Sequence, residues 1–325
     1  MAFRHKRLAV NFFLLLGVAS NVGSEGPSDS AIVDAHAHFF QMPASQLIKA
    51  MDEHNVNVAV VMPVPNAGTI RGRNSNRNRT ATDDFYLAAA KTFPRKIAAF
   101  YGGSTLNQIL LTTQANALSN KDRESFRNHV IENLKEGYRG IGELGPRHIA
   151  WRPGMHEIRF PADHPLMRDI ADVAAQYDIP LDIHLEATGD SVPQFERLLA
   201  HNPKTRIIWA HAGWSNTGLA TPELIKMLMS RYSNLYSSIK YRRTTGQNPG
   251  LFDNRGTLNP NWKSLFEEFP ERFVVGTDVK LGDEDTDYRI MDSHRAILRQ
   301  LSNDAAKKIG WENAVKILHL NEFSK

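Results

Sequence analysis

The 325-residue chain has no cysteine. Disulfides, thiolate metal sites and cysteine nucleophiles are excluded, so a bound metal would rest on imidazole, carboxylate or water. Strong charge of one sign is also missing. The formal net charge is +4, and Arg4, Lys6 and Arg7 supply three of those charges at the amino terminus. What remains is nearly neutral, which argues against a nucleic-acid or anionic-membrane partner. No glycine-rich phosphate loop follows the first predicted strand, and there are no internal repeats or heptads. Long apolar runs are absent too. The stretch from Leu8 to Val18 falls short of the roughly 20 residues a membrane span needs.

That stretch has another reading. It follows the basic residues Arg4 to Arg7 and precedes the small residues Ala19 and Ser20, the order of a secretory signal. Residues 1–20 are expected to be an export leader, and 21–30, with Pro27 among small polar residues, a linker into the domain. The expectation is a periplasmic or secreted protein with no lasting membrane partner once the leader is cut. Sequencing the mature amino terminus should find a start between about residues 20 and 27, whereas an uncleaved anchor would keep Met1.

Hydrophobic residues make up 42% and charged residues 23%, an ordinary globular balance in a chain long enough to bury a core without staples. Short apolar runs predict eight strands, at 31–39, 56–62, 96–101, 138–144, 180–185, 206–211, 234–239 and 272–278. Several do not alternate, as expected of parallel strands covered on both faces. Helical stripes lie between them: Phe126, Val130 and Leu134; Leu166, Ile170, Val173 and Tyr177; Leu224, Ile225, Leu228 and Met229; Trp262, Leu265, Phe266 and Phe269. The rhythm predicts an α/β fold, a single (β/α)8 TIM barrel over 31–325, rather than a doubly wound open sheet. Residues 66–82 break the rhythm with an Asn/Arg/Gly-rich segment after the second strand, read as a functional loop or a solvated excursion.

In such a barrel the active site forms at the carboxyl ends of several strands. Strand one reads IVDAHAHFF, and His36 and His38, two apart, leave a strand on the same face. Strand four reads YRGIGELG with Glu143, strand five PLDIHLEA with His184, strand six RIIWAHAGW with His211, and strand eight FVVGTDVK with Asp278. A lone histidine after a strand is usually structural. Six ligand-type side chains at five strand ends are costly to bury together unless a cation compensates, so they are read as a metal site. Asp34, two before His36, is expected to share its face and orient an imidazole, or to be an ordinary salt-bridged core aspartate.

The order HxH, Glu, His, His, Asp resembles the amidohydrolase superfamily, closest to its amidohydrolase-2 branch, and NAVKILHLN resembles that branch's closing helix. The resemblance runs from Ile32 to Asn321 and implies a distorted barrel, a divalent metal such as zinc, one or two ions per chain, and hydrolysis by metal-activated water. His36, His38 and Asp278 would hold one ion. His184 would bind the same or a second ion, and His211 would bind a second ion or act as acid and base. Two positions depart from the pattern. Glu143 stands where many binuclear members have a carboxylated lysine, and resembles the bridging carboxylate of the superfamily's metal-dependent deoxyribonucleases. Trp214 stands where a small residue is usual.

On this reading Asp278 takes the proton from the activated water and His211 polarises the scissile bond. Arg71 and Arg73 in the long loop, Arg147 after Glu143, and Lys240 and Arg242 after the seventh strand suggest a small anionic substrate. The scissile bond is an amide, a lactone or ester, or a phosphoester. A decarboxylase of aromatic acids, known in the same branch, and a non-catalytic barrel are the alternatives.

Overall fold

The computed structural model describes residues 31–65, 81–150, 157–241, 250–253, 255–283 and 285–323. The expected leader and linker, Arg71, Arg73 and Arg242 lie outside them. No helix among the described residues is long and apolar enough to cross a membrane.

All eight expected strands form. They are β1 (Val33–Phe39), β2 (Val58–Val61), β3 (Ile97–Gly102) and β4 (Gly140–His148), then, after a short antiparallel partner of β4, β5 (Ile158–Arg159), the strands β6 (Leu181–Leu185), β7 (Ile207–Ala212) and β8 (Leu235–Ile239). The eighth barrel strand is broken into β9 (Phe273–Val275) and β10 (Val279–Leu281). β9 pairs in parallel with β8 and β10 with β1, so the two halves of one strand join the ends of the sheet and close the barrel.

Helices α1 (Ala44–Glu53), α2 (Asp83–Thr92), α3 (Thr105–Thr112), α4 (Asn120–Leu134), α5 (Pro165–Gln176), α6 (Ser191–His201), α7 (Pro222–Arg231), α8 (Pro260–Glu268) and α9 (Ile290–Leu298) follow the strands, and α10 (Asn303–Lys307) and α11 (Asn313–Leu318) end the chain. Their starts are written locally. Ser119 and Asp122 form a reciprocal capping box for α4, whose buried stripe is the predicted Phe126, Val130 and Leu134. For α5, His164 accepts from the Leu166 N–H and Pro165 fills the first turn.

Two apolar clusters result. The larger packs outward-facing strand residues such as Ala59, Ile183 and Val275 against the helices. The smaller fills the lumen with Val33, Val58, Val60, Phe100, Ile208 and Val274, and Ile317, Leu318 and Leu320 join it from the carboxyl-terminal segment. That segment lies across the strands' amino ends: Glu322 pairs with Arg139, and His319 meets the Asp178 carbonyl at 2.9 Å and Arg206 at 3.2 Å. One mouth is plugged, which leaves the other for chemistry.

Candidate metal centre

β1 carries a register shift between Asp34 and Ala37. The extra residue breaks the alternation on which the expectation for Asp34 rested. Asp34 pairs in register with Ala59 of the outer cluster, accepts from Thr277 N at 2.9 Å and Tyr288 Oη at 2.8 Å, and so ties β1 to the broken strand. The residue that orients an imidazole is Asp182, two before His184 on β6, which accepts from His36 Nδ1 at 3.2 Å.

His38 Nδ1 donates to the Met62 carbonyl at 2.7 Å, an atom that can only accept. With both Nδ1 atoms donating, the Nε2 lone pairs of His36 and His38 face each other at 3.2 Å. Two carboxylate oxygens join them: Glu143 Oε2 lies 3.5 Å from each Nε2, and Asp278 Oδ1 lies 3.0 Å from His38 and 4.0 Å from His36. All four side chains are buried.

The other oxygen of Glu143 has its own pair of histidines. Oε1 is 3.0 Å from His184 Nδ1 and 3.3 Å from His211 Nε2. Glu143 thus stands between two histidine pairs, as a carboxylate joining two cations must. Asn107 of α3 sets its backbone, donating to the Glu143 carbonyl at 2.7 Å and accepting from Gly145 N at 2.9 Å. Two donors depart from relaxed backbone: His211 has φ 75° and Asp278 φ 52°. Left-handed non-glycine residues cost about 1–3 kcal/mol each and cluster at functional sites. The Asp278 turn is held by its N–H to the His36 carbonyl at 2.9 Å.

Electrostatics follow the same layout. Burial disfavours charge on His36, but the carboxylates of Asp182 and Glu143 outweigh it and raise its pKa well above the ordinary value. Burial opposes ionisation of Glu143, yet His36 and its bonds to His184 and His211 hold its pKa well below the carboxylate range. His184 is pushed up to about 9, because Glu143 and Glu186 overcome burial. His211 goes the other way: burial and then the Lys240 ammonium hold it neutral, with a lone pair to offer.

Convergent lone pairs 3.2 Å apart repel unless a proton or a metal cation lies among them. Donors bound to zinc at about 2.0–2.1 Å in a tetrahedron are about 3.3 Å apart, close to four of the five spacings around His36 and His38; Asp278 Oδ1 stands farther from His36, at 4.0 Å. His36, His38 and Asp278 form one set whose ligand atoms all lie within 4.8 Å, and His36, Glu143 and His211 form another. The chemistry of this donor set fits one or two divalent cations.

Of the positions expected to hold substrate, Lys240 is in the cluster and Arg147 is not. Lys240, buried, touches Asp278 Oδ2 and sits 4.3 Å from the centre of the Trp214 ring, which gives the unexpected tryptophan a purpose. Register shifts in β4 at Leu144 bring Arg147 beside Leu185, where it pairs with Glu157 and lines an outer cavity of about 330 Å³ with Arg159, Phe160 and Gln194. Sequence reading passed over Asp182, Glu186, Asn107 and Lys280. Strand alternation with His184 was a signal for the first two; the others had none.

A family model described as amidohydrolase, Amidohydro_2, matches residues 122–320. The fold resembles an amidohydrolase from Pseudomonas aeruginosa with a TM-score of 0.52 at 11% identity, covering 90% of this chain and 97% of that one. A dihydroorotase from Campylobacter jejuni is similar with a TM-score of 0.47 at 17% identity, covering 88% of this chain and 82% of that one. No curated protein matches. With the family model spanning more than half its length, the chain belongs to the amidohydrolase family of metal-dependent hydrolases.

Proposed function

We propose that the protein hydrolyses an amide, lactone or phosphoester bond in a small anionic molecule, at a centre holding two divalent cations. The observation that carries this reading is Glu143, with one oxygen toward His36 and His38 and the other toward His184 and His211. Divalent cations held there would supply Lewis acidity and activate a water for attack near neutral pH. The chain does the rest. His36, His38, Glu143, His184, His211 and Asp278 are the ligand candidates. Asp182 and the Met62 carbonyl fix the imidazole tautomers, so that lone pairs face inward. Asp278, ionised between its neighbours, receives the proton from the attacking water and returns it to the leaving group.

A panel of lactones, amides, phosphoesters and aromatic acids, run in ¹⁸O-labelled water with the zinc-loaded protein, tests the reading. Label appearing in an acid product supports it. Release of CO2 without label uptake makes the protein a decarboxylase instead.

A further inference from the structure

Glu186 lies two residues past His184, just beyond the end of β6, and is 4% exposed. Its place is fixed from three sides. Its N–H donates to the Arg147 carbonyl at 2.9 Å, its carbonyl accepts from Ser191 Oγ at 2.7 Å, and its carboxylate accepts from Asn216 N at 3.2 Å and Asn216 Nδ2 at 2.6 Å. Oε1 faces His184 Nε2 at 3.8 Å, a charge contact. We propose that Glu186 is a positioning residue for the metal centre: its charge keeps the His184 hydrogen on Nε2, so that Nδ1 turns a lone pair toward Glu143. The inference rests on the two-cation reading and says which nitrogen of His184 serves it.

Hydrogen bonding does not account for the charge of Glu186. Asn216 offers it two N–H donors, and a neutral glutamine could accept both. An ionised carboxylate taken out of water is costly unless a cation faces it. Among the described residues no lysine or arginine pairs with Glu186; the basic group at contact distance is His184, and His148 acts on it more weakly. Burial opposes its ionisation, but His184 and Asn216 outweigh that and hold its pKa below the ordinary glutamate value. The other edge of the ring shows which nitrogen must stay bare. His184 Nδ1 lies 3.0 Å from Glu143 Oε1, and His211 Nε2 lies 3.3 Å from the same oxygen, so the ligand atom of His184 is Nδ1. A neutral imidazole that offers the Nδ1 lone pair carries its hydrogen on Nε2. That atom is buried, and the carboxylate it faces is Glu186. A carboxylate on the far N–H of a ligating histidine fixes the tautomer and raises the basicity of the ligand nitrogen. Asp182 serves His36 in this way and the Met62 carbonyl serves His38, so Glu186 completes the pattern at His184.

Protein labelled with ¹⁵N-histidine and loaded with zinc reads the tautomer by NMR, with His184→Gln assigning the signals. In the wild type the His184 hydrogen should sit on Nε2. Glu186→Gln keeps the shape of the side chain and removes its charge, so that hydrogen should move upfield and exchange faster with water. Chelator competition should show one of the two ions weakened by about tenfold or more in Glu186→Gln, the scale for losing such a carboxylate, and the ion on His36, His38 and Asp278 within about threefold of the wild type. If the wild type holds a single ion, the two-cation reading fails, and the Nε2 resonance alone decides the role of Glu186. If Glu186→Gln does not fold, the wild-type tautomer decides it. The proposal is overturned if the wild-type hydrogen sits on Nδ1 alone, or if Glu186→Gln leaves the resonance where it was. It is equally overturned if two ions bind and Glu186→Gln leaves both affinities unchanged, which would make Glu186 a tie between β6 and the loop of Asn216.

Discussion

Asp278 sits at φ 52° between two ammoniums and the Nε2 of His38. Burial alone would raise its pKa, but the Lys240 and Lys280 ammoniums outweigh that and hold it well below the carboxylate range. It is therefore ionised at working pH, as the ligand and proton acceptor of the proposed mechanism must be, and the cations around it oppose its protonation. Asp278→Asn should keep the fold and lower turnover at least about a hundredfold, the scale for losing a general base, while near-normal turnover by metal-replete variant would move the proton transfer to His211. The six ligand candidates were legible because each is a metal-type side chain set within or at the end of an apolar run. Asp34 was misread because a bulge cannot be counted from alternation, and Lys280 was invisible because its approach to Asp278 depends on the strand break at Gly276, Thr277 and Asp278.

That break is an element-scale device. Gly276 runs so close to its neighbours that an added Cβ would lie 2.7 Å from Ser238 Cβ and 3.0 Å from His36 Cβ. Gly276→Ala should cost about 1–3 kcal/mol by overpacking and weaken zinc binding as β1 shifts. An unchanged melting temperature together with unchanged zinc affinity would contradict this. At the start of α5, His164 accepts from Leu166 N through Nδ1 at 3.1 Å and meets the Thr113 carbonyl through Nε2 at 3.3 Å. Protonation would put a hydrogen where the Leu166 N–H points. Burial lowers the His164 pKa, against smaller opposing effects from Thr113 and Asp163. A depressed histidine pKa means the unfolded chain takes up the proton first, so this stability is full above the ordinary histidine range and is lost as pH falls through it. Between about pH 7 and about pH 5 the wild type should lose melting temperature faster than His164→Asn, which caps without titrating. Parallel pH curves would remove the effect. None of this was legible from stripes of apolar residues, which fix where α5 lies but not how it is capped.

For the whole molecule, eight apolar runs separated by helical stripes were enough to give the barrel, since parallel strands covered on both faces have few other ways to close. The carboxyl-terminal plug was less legible: NAVKILHLN resembles a closing helix, and only the closed barrel shows that its Ile317, Leu318 and Leu320 fill the far end. The plug and the break together direct the buried polar groups to one mouth, around Glu143. Elemental analysis of metal per chain, in the wild type and in Glu143→Gln after zinc loading and dialysis, tests that arrangement most directly. Two ions in the wild type and one in Glu143→Gln are the predicted result. A wild type holding a single ion that Glu143→Gln leaves bound would contradict the bridge, and a wild type holding none would contradict the metal centre itself.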